Sequence, residues 1–446
     1  MKTVKRLRTG RFWFLVSILL AATGYGRQLP DESCDVLVVG GGMAGIAAAG
    51  QAGRAGAKTI LVERGFQVGG NATTGAVDYP GLFHAWGEQV VTGFGWEVVS
   101  NSMALAGCRF PDVGAWRTKR HSQIQHPINI PLFVAVAEEM LGQAGVKIEY
   151  HAAPAALARE GDAWTVSVHA GGDTRTIRAK EIVDCTGSGT VAALAGAKLL
   201  HSDVRSPGTF RYRVRNLPPR DTWDVPSMQA AYGAALADGS LEEGDTRDPI
   251  FGFTHFAALL TNYVPDADDS DADARTRANL EGRRRMLRLY RFLKRQKGFG
   301  QIVLESCAAE TGVRETTRVE GDYVLTGDDY VAGRVFPDSL CHSFYPIDMH
   351  STDGGVQPKP LKPGTKPTVP FRCLLPKGVD HVLVAGRCFS ADRVAMSAAR
   401  VQATCMATGH VAGEAAALAA KRGVAPRALP VDDLKAGLRA RGCTVP

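Results

Sequence analysis

The sequence contains no closely spaced pair of cysteines, although nine cysteines occur among its 446 residues. No two of them have the C-x-x-C spacing that zinc sites and redox motifs use. An odd and scattered set also does not build the framework of a small disulfide-bonded protein, although one or two isolated bridges are compatible with it. The sequence therefore predicts a protein without a metal site.

Outside its first 26 residues, the chain also lacks a strong excess of either charge. It has 52 lysines and arginines against 45 acidic residues, which gives a formal net charge of +7. Five of these cations lie in the first eleven residues, and without them the charge is +2. A nearly neutral remainder offers no broad attraction to a polyanion, so we expect no nucleic-acid partner.

The N-terminal apolar run is shorter than the stretch of about 20 residues that a membrane-spanning helix needs. This run, FWFLVSILLAATGYG (12–26), follows the basic stretch MKTVKRLRTGR, which has no acidic residue. A basic segment, a short apolar core and small residues in this order are typical of a secretory signal. We expect residues 1–26 to form a signal peptide and the protein to be exported, periplasmic or secreted, without a permanent membrane anchor. Anchoring by an uncleaved leader is the alternative.

Three glycines at the end of the valine-rich strand CDVLVVG (34–40) and just after it have the spacing G-x-G-x-x-G. Gly40 permits a tight turn, Gly42 lets a pyrophosphate approach the backbone, and Gly45 lets a helix pack closely on a strand. A small-residue helix over 43–56 follows, and its N-terminus would stabilise the negative charge. This pattern predicts a dinucleotide-binding turn.

Glu63 lies in the next strand, AKTILVER (57–64), which completes a strand–helix–strand unit. A carboxylate at this position accepts hydrogen bonds from ribose hydroxyls and argues against NADP. A second glycine pair, in GFQVGGNATTG (65–75), suits a cofactor that continues beyond one nucleotide and favours FAD over NAD. VDCTGSG (183–189) could be read as a second dinucleotide turn with Asp203 as its acid, but no clear strand precedes Asp203.

Patterns of the dinucleotide-binding kind occur at both ends of the chain, with a region richer in Pro, Tyr and charge between them. This arrangement predicts one domain built from two separated segments, with a second domain inserted. Further helices are predicted over 129–145, 274–296 and 396–423, and further strands over 146–150, 163–170, 173–187 and 380–386. The predicted division is a signal peptide (1–26), a first FAD-binding segment (34–200), a substrate or cap domain (201–375), a second FAD-binding segment (376–424) and a C-terminal helical tail (425–446).

The stretch DVLVVGGGMAGIAAAGQAGRAGAKTILVERGFQVGGNAT (35–73) resembles the start of glutathione-reductase-type FAD flavoproteins. VRETTRVEGDYVLTGDDYVAGRVFPDS (313–339), YPIDMH (345–350) and the stretch over 371–419 together resemble the bacterial FAD-dependent oxidoreductase family. The resemblance covers residues 34–446. It implies an α/β fold with a discontinuous Rossmann-like FAD-binding domain of the glutathione-reductase type and an inserted α+β substrate domain.

The same resemblance implies FAD as the cofactor and assigns a set of residues to it. These residues are Gly40, Gly42, Met43, Ala44, Gly45, Glu63, Arg64, Gly69, Gly70, Asn71, Thr73, Thr186, Gly187, Gly386, Arg387 and Val401. It also directs the N-terminus of the helix after Ser397 at the flavin, where the helix dipole would stabilise the anionic reduced form.

Hydride transfer to a flavin also needs a base for the proton that leaves the substrate. His350 is the candidate base, with Asp348 to orient it. The resemblance places Arg400 near the flavin, and Arg314 is a candidate for binding an anionic or polyhydroxyl substrate. A structural role for His350 and an internal ion pair for Arg314 are the alternatives.

The sequence thus predicts an exported FAD-dependent oxidoreductase. It would oxidise a small organic substrate, a carbohydrate-like compound among the candidates, and pass the electrons to oxygen, a quinone or another acceptor. Without a second convincing dinucleotide site, NAD(P)H is not an expected partner. A flavin-dependent reductase of a C=C or C=O substrate is one alternative, and a non-catalytic binding module with a vestigial nucleotide fold is another.

Overall fold

A computed structural model describes residues 26–246, 259–350 and 356–446. Apart from its last residue, the predicted signal peptide (1–26) lies outside these residues. Within the described part of the chain, no helix has the length and apolar character needed to span a membrane. All nine cysteines have free thiols.

The elements are numbered in chain order. The strands are β1 (Glu32–Val39), β2 (Thr59–Val62), β3 (His84–Ala85), β4 (Glu88–Gln89), β5 (Val146–Glu149), β6 (Ala152–Glu160), β7 (Ala163–Ala170), β8 (Asp173–Asp184), β9 (Leu199–Leu200), β10 (Gly208–Arg215), β11 (Leu259–Val264), β12 (Val303–Cys307), β13 (Arg318–Val319), β14 (Ser339–His342), β15 (Ile347–His350), β16 (Val356–Lys359), β17 (Thr368–Pro370) and β18 (Val382–Val384). The α-helices are α1 (Met43–Arg54), α2 (Phe94–Leu105), α3 (Ile130–Gln143), α4 (Thr190–Leu194), α5 (Val225–Ala237), α6 (Ala272–Lys294), α7 (Gly327–Ala332), α8 (Arg393–Ala399), α9 (Gln402–Arg422) and α10 (Val431–Ala440).

The largest sheet has seven strands in the order β5-β2-β1-β8-β7-β6, with β18 also paired to β8. Strands β5, β2, β1, β8 and β18 run parallel, and β7 and β6 continue the sheet in antiparallel fashion. Residues 36–39 of β1 are at most 3% exposed. Because a parallel strand is covered on both faces, β1 is a continuous apolar run rather than an alternating one. The predicted α/β class and the first strand–helix–strand unit are confirmed.

Strand β8 joins the two chain segments that form this sheet. Its first half pairs with β7, and its last residues, Ile182–Asp184, pair with β18 from the far end of the chain. The predicted strands over 146–150, 163–170, 173–187 and 380–386 are confirmed as β5, β7, β8 and β18.

The sequence pattern does not reveal β6 at the end of the sheet. This strand contains Pro154, which has no N–H to donate, and its register shifts between Pro154 and Ala156. A proline is tolerated in an edge strand because one side of that strand needs no partner. Sheet pairing with β7, rather than local propensity, therefore determines β6.

The helices α1 and α9 pack against each other at backbone distance. A Cβ atom added at Gly409 would lie 2.2 Å from the Ala44 carbonyl oxygen, and one at Gly413 would lie 2.2 Å from the Ala48 carbonyl oxygen. Any side chain at either glycine would force the two helices apart. This contact holds the second segment of the chain against the first.

The single helix predicted over 396–423 is wrong, because the structure divides it into α8 and α9. Val401, between them, has extended backbone, with φ −63° and ψ 149°. The Ala403 N–H donates to the Pro80 carbonyl (2.9 Å) at the start of α9. Bonding to a neighbouring loop at this point competes with the continuous helix that the small residues favour.

A second hydrophobic core lies within residues 210–313. It forms between the antiparallel sheet β11-β10-β12 and α6, which Asp271 caps by accepting a hydrogen bond from the Ala274 N–H (2.7 Å). The helix predicted over 274–296 is confirmed as α6. The core residues from Val319 to Leu438 belong to the first core, so the second core occupies only part of the predicted cap region (201–375).

We expect Gly413→Ala to destabilise the protein by about 1–3 kcal/mol, because the added methyl group overpacks α9 against α1. Gly233→Ala is the matched control, since an added Cβ in α5 would meet no atom within 4 Å. That control should be neutral or stabilising by up to about 1 kcal/mol. Urea unfolding followed by circular dichroism measures both changes. Equal stability of Gly413→Ala and the wild type would contradict the close helix contact.

Candidate functional site

A glycine turn connects β1 to α1 at the carboxyl edge of the parallel strands. Gly40 has φ +99°, and a Cβ atom at Gly45 would lie 1.8 Å from the Gly40 carbonyl oxygen. A Cβ atom at Gly42, by contrast, would meet nothing within 4 Å. No side chain caps the N-terminus of α1, and its first turn contains no acidic residue. The open turn and the unshielded helix N-terminus suit an anionic group.

This turn forms one wall of a cavity of about 360 Å³. Most of the residues that the sequence assigns to a cofactor line it: Gly40, Gly42, Met43, Ala44, Glu63, Arg64, Gly69, Gly70, Asn71, Thr186, Gly187, Gly386 and Arg387. Gly45 lies beneath the turn instead, and the Thr73 hydroxyl donates to the Val68 carbonyl (2.8 Å). Val401 is the residue that precedes α9, and its neighbours Arg400 and Gln402 line the cavity.

The Glu63 carboxylate is fixed by two backbone groups at the end of β2. One oxygen accepts a hydrogen bond from the Gly41 N–H (2.6 Å) and the other accepts from the Gly65 N–H (2.7 Å). A carboxylate can accept about four hydrogen bonds, so each oxygen keeps capacity for a ribose hydroxyl. The predicted ribose-binding carboxylate therefore lies on the cavity wall with unused acceptor capacity.

The second glycine pair packs directly on the first turn. The Gly69 N–H donates to the Gly41 carbonyl (2.8 Å), and a Cβ atom at Gly70 would lie 3.2 Å from the Gly42 Cα atom. The Asn71 side chain donates to the Val313 carbonyl (2.7 Å), which ties this loop to residues 210–313, here called the inserted region. Together the two glycine stretches leave a space lined by backbone atoms, which side chains at these glycine positions would occupy.

Three arginines from distant parts of the sequence line the same cavity around one buried carboxylate. Arg387 bonds to Asp269 (2.7 Å between Nη2 and Oδ2), Arg64 lies 3.8 Å from the same oxygen, and Arg275 donates to the Asp269 carbonyl (3.2 Å). Burial raises the pKa of Asp269, but Arg387 and Arg64 outweigh it and hold that pKa below its usual value. The cavity wall is therefore rich in cations.

Two polar atoms of this cluster are buried without a hydrogen-bond partner among the described residues. They are Arg275 Nε and Asp269 Oδ1. A buried donor or acceptor without a partner is costly, so a polar ligand in the cavity would stabilise this wall. Neither residue can be identified from the sequence, because an acidic loop and a basic helix carry no motif that would link them to the glycine turn.

His350 is buried in a chain of hydrogen bonds. Its Nδ1 lies 2.9 Å from the Tyr263 hydroxyl, and its Nε2 lies 2.9 Å from Asp348 Oδ2. Arg400 donates to the Asp348 backbone carbonyl (2.8 Å) and so connects this cluster to the cavity wall.

The charge states of this cluster follow from its burial. Burial, and after it the charge of Arg314, lowers the pKa of His350 to about 4, although Asp348 acts in the opposite direction. Burial raises the pKa of Asp348, but its hydrogen bond with His350 and the charges of His350, Arg400 and Arg314 hold it well below its usual range. At pH 7 the imidazole is neutral and the carboxylate ionised. His350 therefore donates to Asp348 through Nε2 and accepts from Tyr263 at Nδ1.

The structure brings the predicted catalytic residues His350, Arg314 and Arg400 to one region, but only Arg400 lines the cavity. Arg314 donates to the Pro207 carbonyl, and its guanidinium lies over the Tyr263 ring, 5.6 Å from the centroid. Tyr263 is the residue of the His350 cluster that cannot be identified from the sequence. It lies in β11 within the inserted region, and no local pattern distinguishes it from a core tyrosine.

A family model described as FAD dependent oxidoreductase matches residues 35–438. No curated protein matches the sequence. Among solved structures, the chain is similar to a geranylgeranyl bacteriochlorophyll reductase-like protein from Thermoplasma acidophilum (12% identity, 92% of this chain and 84% of that chain covered, TM-score 0.44). It is also similar to a p-nitrophenol 4-monooxygenase from Pseudomonas putida DLL-E4 (15%, 92% and 87%, TM-score 0.41). A third similar structure is an anhydrotetracycline hydroxylase from Streptomyces rimosus, with 14% identity, 86% of this chain and 62% of that chain covered, and a TM-score of 0.42.

We expect Arg275→Met to weaken FAD binding by about ten- to a hundredfold, because a hydrogen bond to a charged group contributes about 1.5–3 kcal/mol. Arg277→Met is the matched control, since Arg277 lies on the same helix, is exposed and does not line the cavity. Titration of the apoprotein with FAD, followed by quenching of flavin fluorescence, measures the affinity. Identical dissociation constants for both variants would show that Arg275 does not contribute to FAD binding.

Proposed function

The chain belongs to the FAD-dependent oxidoreductase family, and from this premise we propose that it is an exported enzyme that oxidises a small organic, carbohydrate-like substrate. Its cofactor is FAD. We propose that electrons pass on to oxygen, a quinone or another acceptor, and that the enzyme has neither a nucleic-acid partner nor a permanent membrane anchor.

We further assign the FAD-binding domain to the glutathione-reductase type, discontinuous in sequence and interrupted by a substrate domain. Two observations support this assignment. β18 and α9, from the end of the chain, join β8 and α1, and the second core at 210–313 lies between these segments in sequence.

The observation that carries the proposed reaction is the position of Arg400. This residue lines the FAD cavity and also bonds to the cluster of Asp348, His350 and Tyr263. A group of side chains that can hold and move a proton therefore adjoins the cofactor site. Oxidation of an alcohol requires a hydride acceptor and a proton acceptor next to each other, because a hydride and a proton leave the substrate together.

Bound FAD supplies an acceptor for the two electrons that leave as a hydride. Tyr263 does not line the cavity, so the proton transfer requires the substrate to extend past Arg400 to Tyr263. The substrate hydroxyl proton then goes to the Tyr263 oxygen as the Tyr263 proton moves to His350 Nδ1. The resulting imidazolium is stabilised by the Asp348 carboxylate at 2.9 Å. Arg400 and Arg314 hold the carboxylate ionised, so the proton stays on His350 until it is released to solvent.

The same cluster could deliver a proton in the opposite direction, to a C=C or C=O substrate. Anaerobic stopped-flow mixing separates the two directions. We expect members of a sugar and alcohol panel to bleach the oxidised flavin band, which lies near about 450 nm. A panel that leaves this band unchanged, together with rapid reoxidation of the dithionite-reduced enzyme by an enone or ketone, would establish the reductase instead.

We expect Tyr263→Phe and His350→Asn each to slow flavin reduction by about a hundredfold or more, since a positioned base contributes about 10²–10⁴-fold. FAD affinity should not change, because neither side chain lines the cavity. Tyr232→Phe is the matched control, a tyrosine of the inserted region whose ring contacts Phe292 instead. Rates for both variants within a factor of two of the control would contradict the proton relay.

The rate of flavin reduction should also depend on pH in a defined way. The active form has neutral His350, whose pKa is lowered to about 4. The rate is therefore expected to be constant from about pH 5 upward and to fall as the pH drops through about 4. Because Asp348 raises the pKa of His350, Asp348→Asn should move this decline to still lower pH. A decline centred on the ordinary histidine pKa would refute the assignment.

A further inference from the structure

One face of α6 is buried and the opposite face is open to solvent. Ala278, Gly282, Met286, Leu289 and Leu293 face the second core. On the opposite side Leu280 and Leu287 are 45% and 42% exposed. These leucines are seven residues apart, close to two helical turns, and so lie one above the other along the middle of the exposed face.

Cations flank the two leucines along the helix. Arg277, Arg283, Arg284 and Arg291 are all exposed. With 3.6 residues per turn, Arg283 lies on one side of the leucines, and Arg277, Arg284 and Arg291 lie on the other. We call Arg277, Leu280, Arg283, Arg284, Leu287 and Arg291 the basic-leucine face.

The inner and outer arginines of α6 differ in their partners. Arg285 and Arg288 are held by Glu242, Asp245 and Glu281. On the basic-leucine face, Arg284 lies 3.8 Å from Glu281, which also binds Arg285. Among the described residues, the other arginines of this face form no ion pair. Their charge is therefore available to an external anion.

We propose that the basic-leucine face docks the protein peripherally on an anionic phospholipid surface. Apolar side chains along the middle with cations on both sides match the boundary between acyl chains and anionic headgroups. The charge complementarity is local, because the chain beyond residue 26 is nearly neutral as a whole. A nucleic acid would use the arginines alone and would leave the two exposed leucines without a role.

The test is cosedimentation of the FAD-loaded protein with vesicles, using the same N-terminus in every variant. Phosphatidylglycerol–phosphatidylcholine vesicles are compared with pure phosphatidylcholine vesicles. The charge variant carries Arg277→Gln, Arg283→Gln and Arg291→Gln. The apolar variant carries Leu280→Ser and Leu287→Ser. Because all five side chains are exposed, the flavin spectrum and the urea midpoint are expected to match those of the wild type.

Matched controls change the same number of side chains elsewhere. Lys421→Gln, Lys435→Gln and Arg439→Gln remove three cations near the C-terminus, and Leu105→Ser with Leu194→Ser removes two other exposed leucines. We expect the charge variant and the apolar variant each to lose about tenfold or more in partition onto anionic vesicles, and the controls to bind as the wild type does.

Three results would overturn the proposal. Equal binding to anionic and neutral vesicles would show that the face does not recognise negative charge. Undiminished binding of the apolar variant would show that the leucines do not insert into the membrane. Retention on duplex DNA that the charge variant loses and the apolar variant keeps, without vesicle binding, would identify a nucleic-acid surface instead.

Discussion

The backbones of α1 and α9 touch, and the cofactor cavity depends on that contact. Gly409 and Gly413 place α9 against the carbonyl oxygens of Ala44 and Ala48, so the first and last parts of the FAD-binding region share one core. Gly386 and the residues around the start of α9 then close a cavity that the glycine turn alone leaves open. Small residues in both helices are thus a requirement of the site as well as of packing.

The inserted region supplies one half of each polar cluster next to the cavity. Asp269 and Arg275 complete the arginine cluster, and Tyr263 completes the chain through His350. Their partners Arg387 and His350 come from later parts of the chain. Because buried charges are stable only when paired, these contacts also fix how the second core sits against the first.

The sequence identifies those features that depend on local pattern. The valine run of β1, the glycine spacing and Glu63 can be predicted because strand, turn and carboxylate follow one another directly. The division between α8 and α9 cannot, since it depends on a hydrogen bond to the distant Pro80. Asp269 and Tyr263 are likewise placed by the packing of the inserted region, and their local sequence resembles an ordinary loop and an ordinary core strand.

The late position of α9 also determines when the protein can acquire its cofactor. The glycine turn leaves the ribosome first, and Gly386 and Gln402, which complete the cavity, follow only after the whole of residues 210–313. A nascent chain that ends before α9 lacks part of the cavity wall, so we expect FAD loading to follow the synthesis of α9. If the leader directs an unfolded chain across a membrane, free FAD has to be present on the far side. Translocation of the loaded enzyme would instead require a machinery that accepts folded proteins.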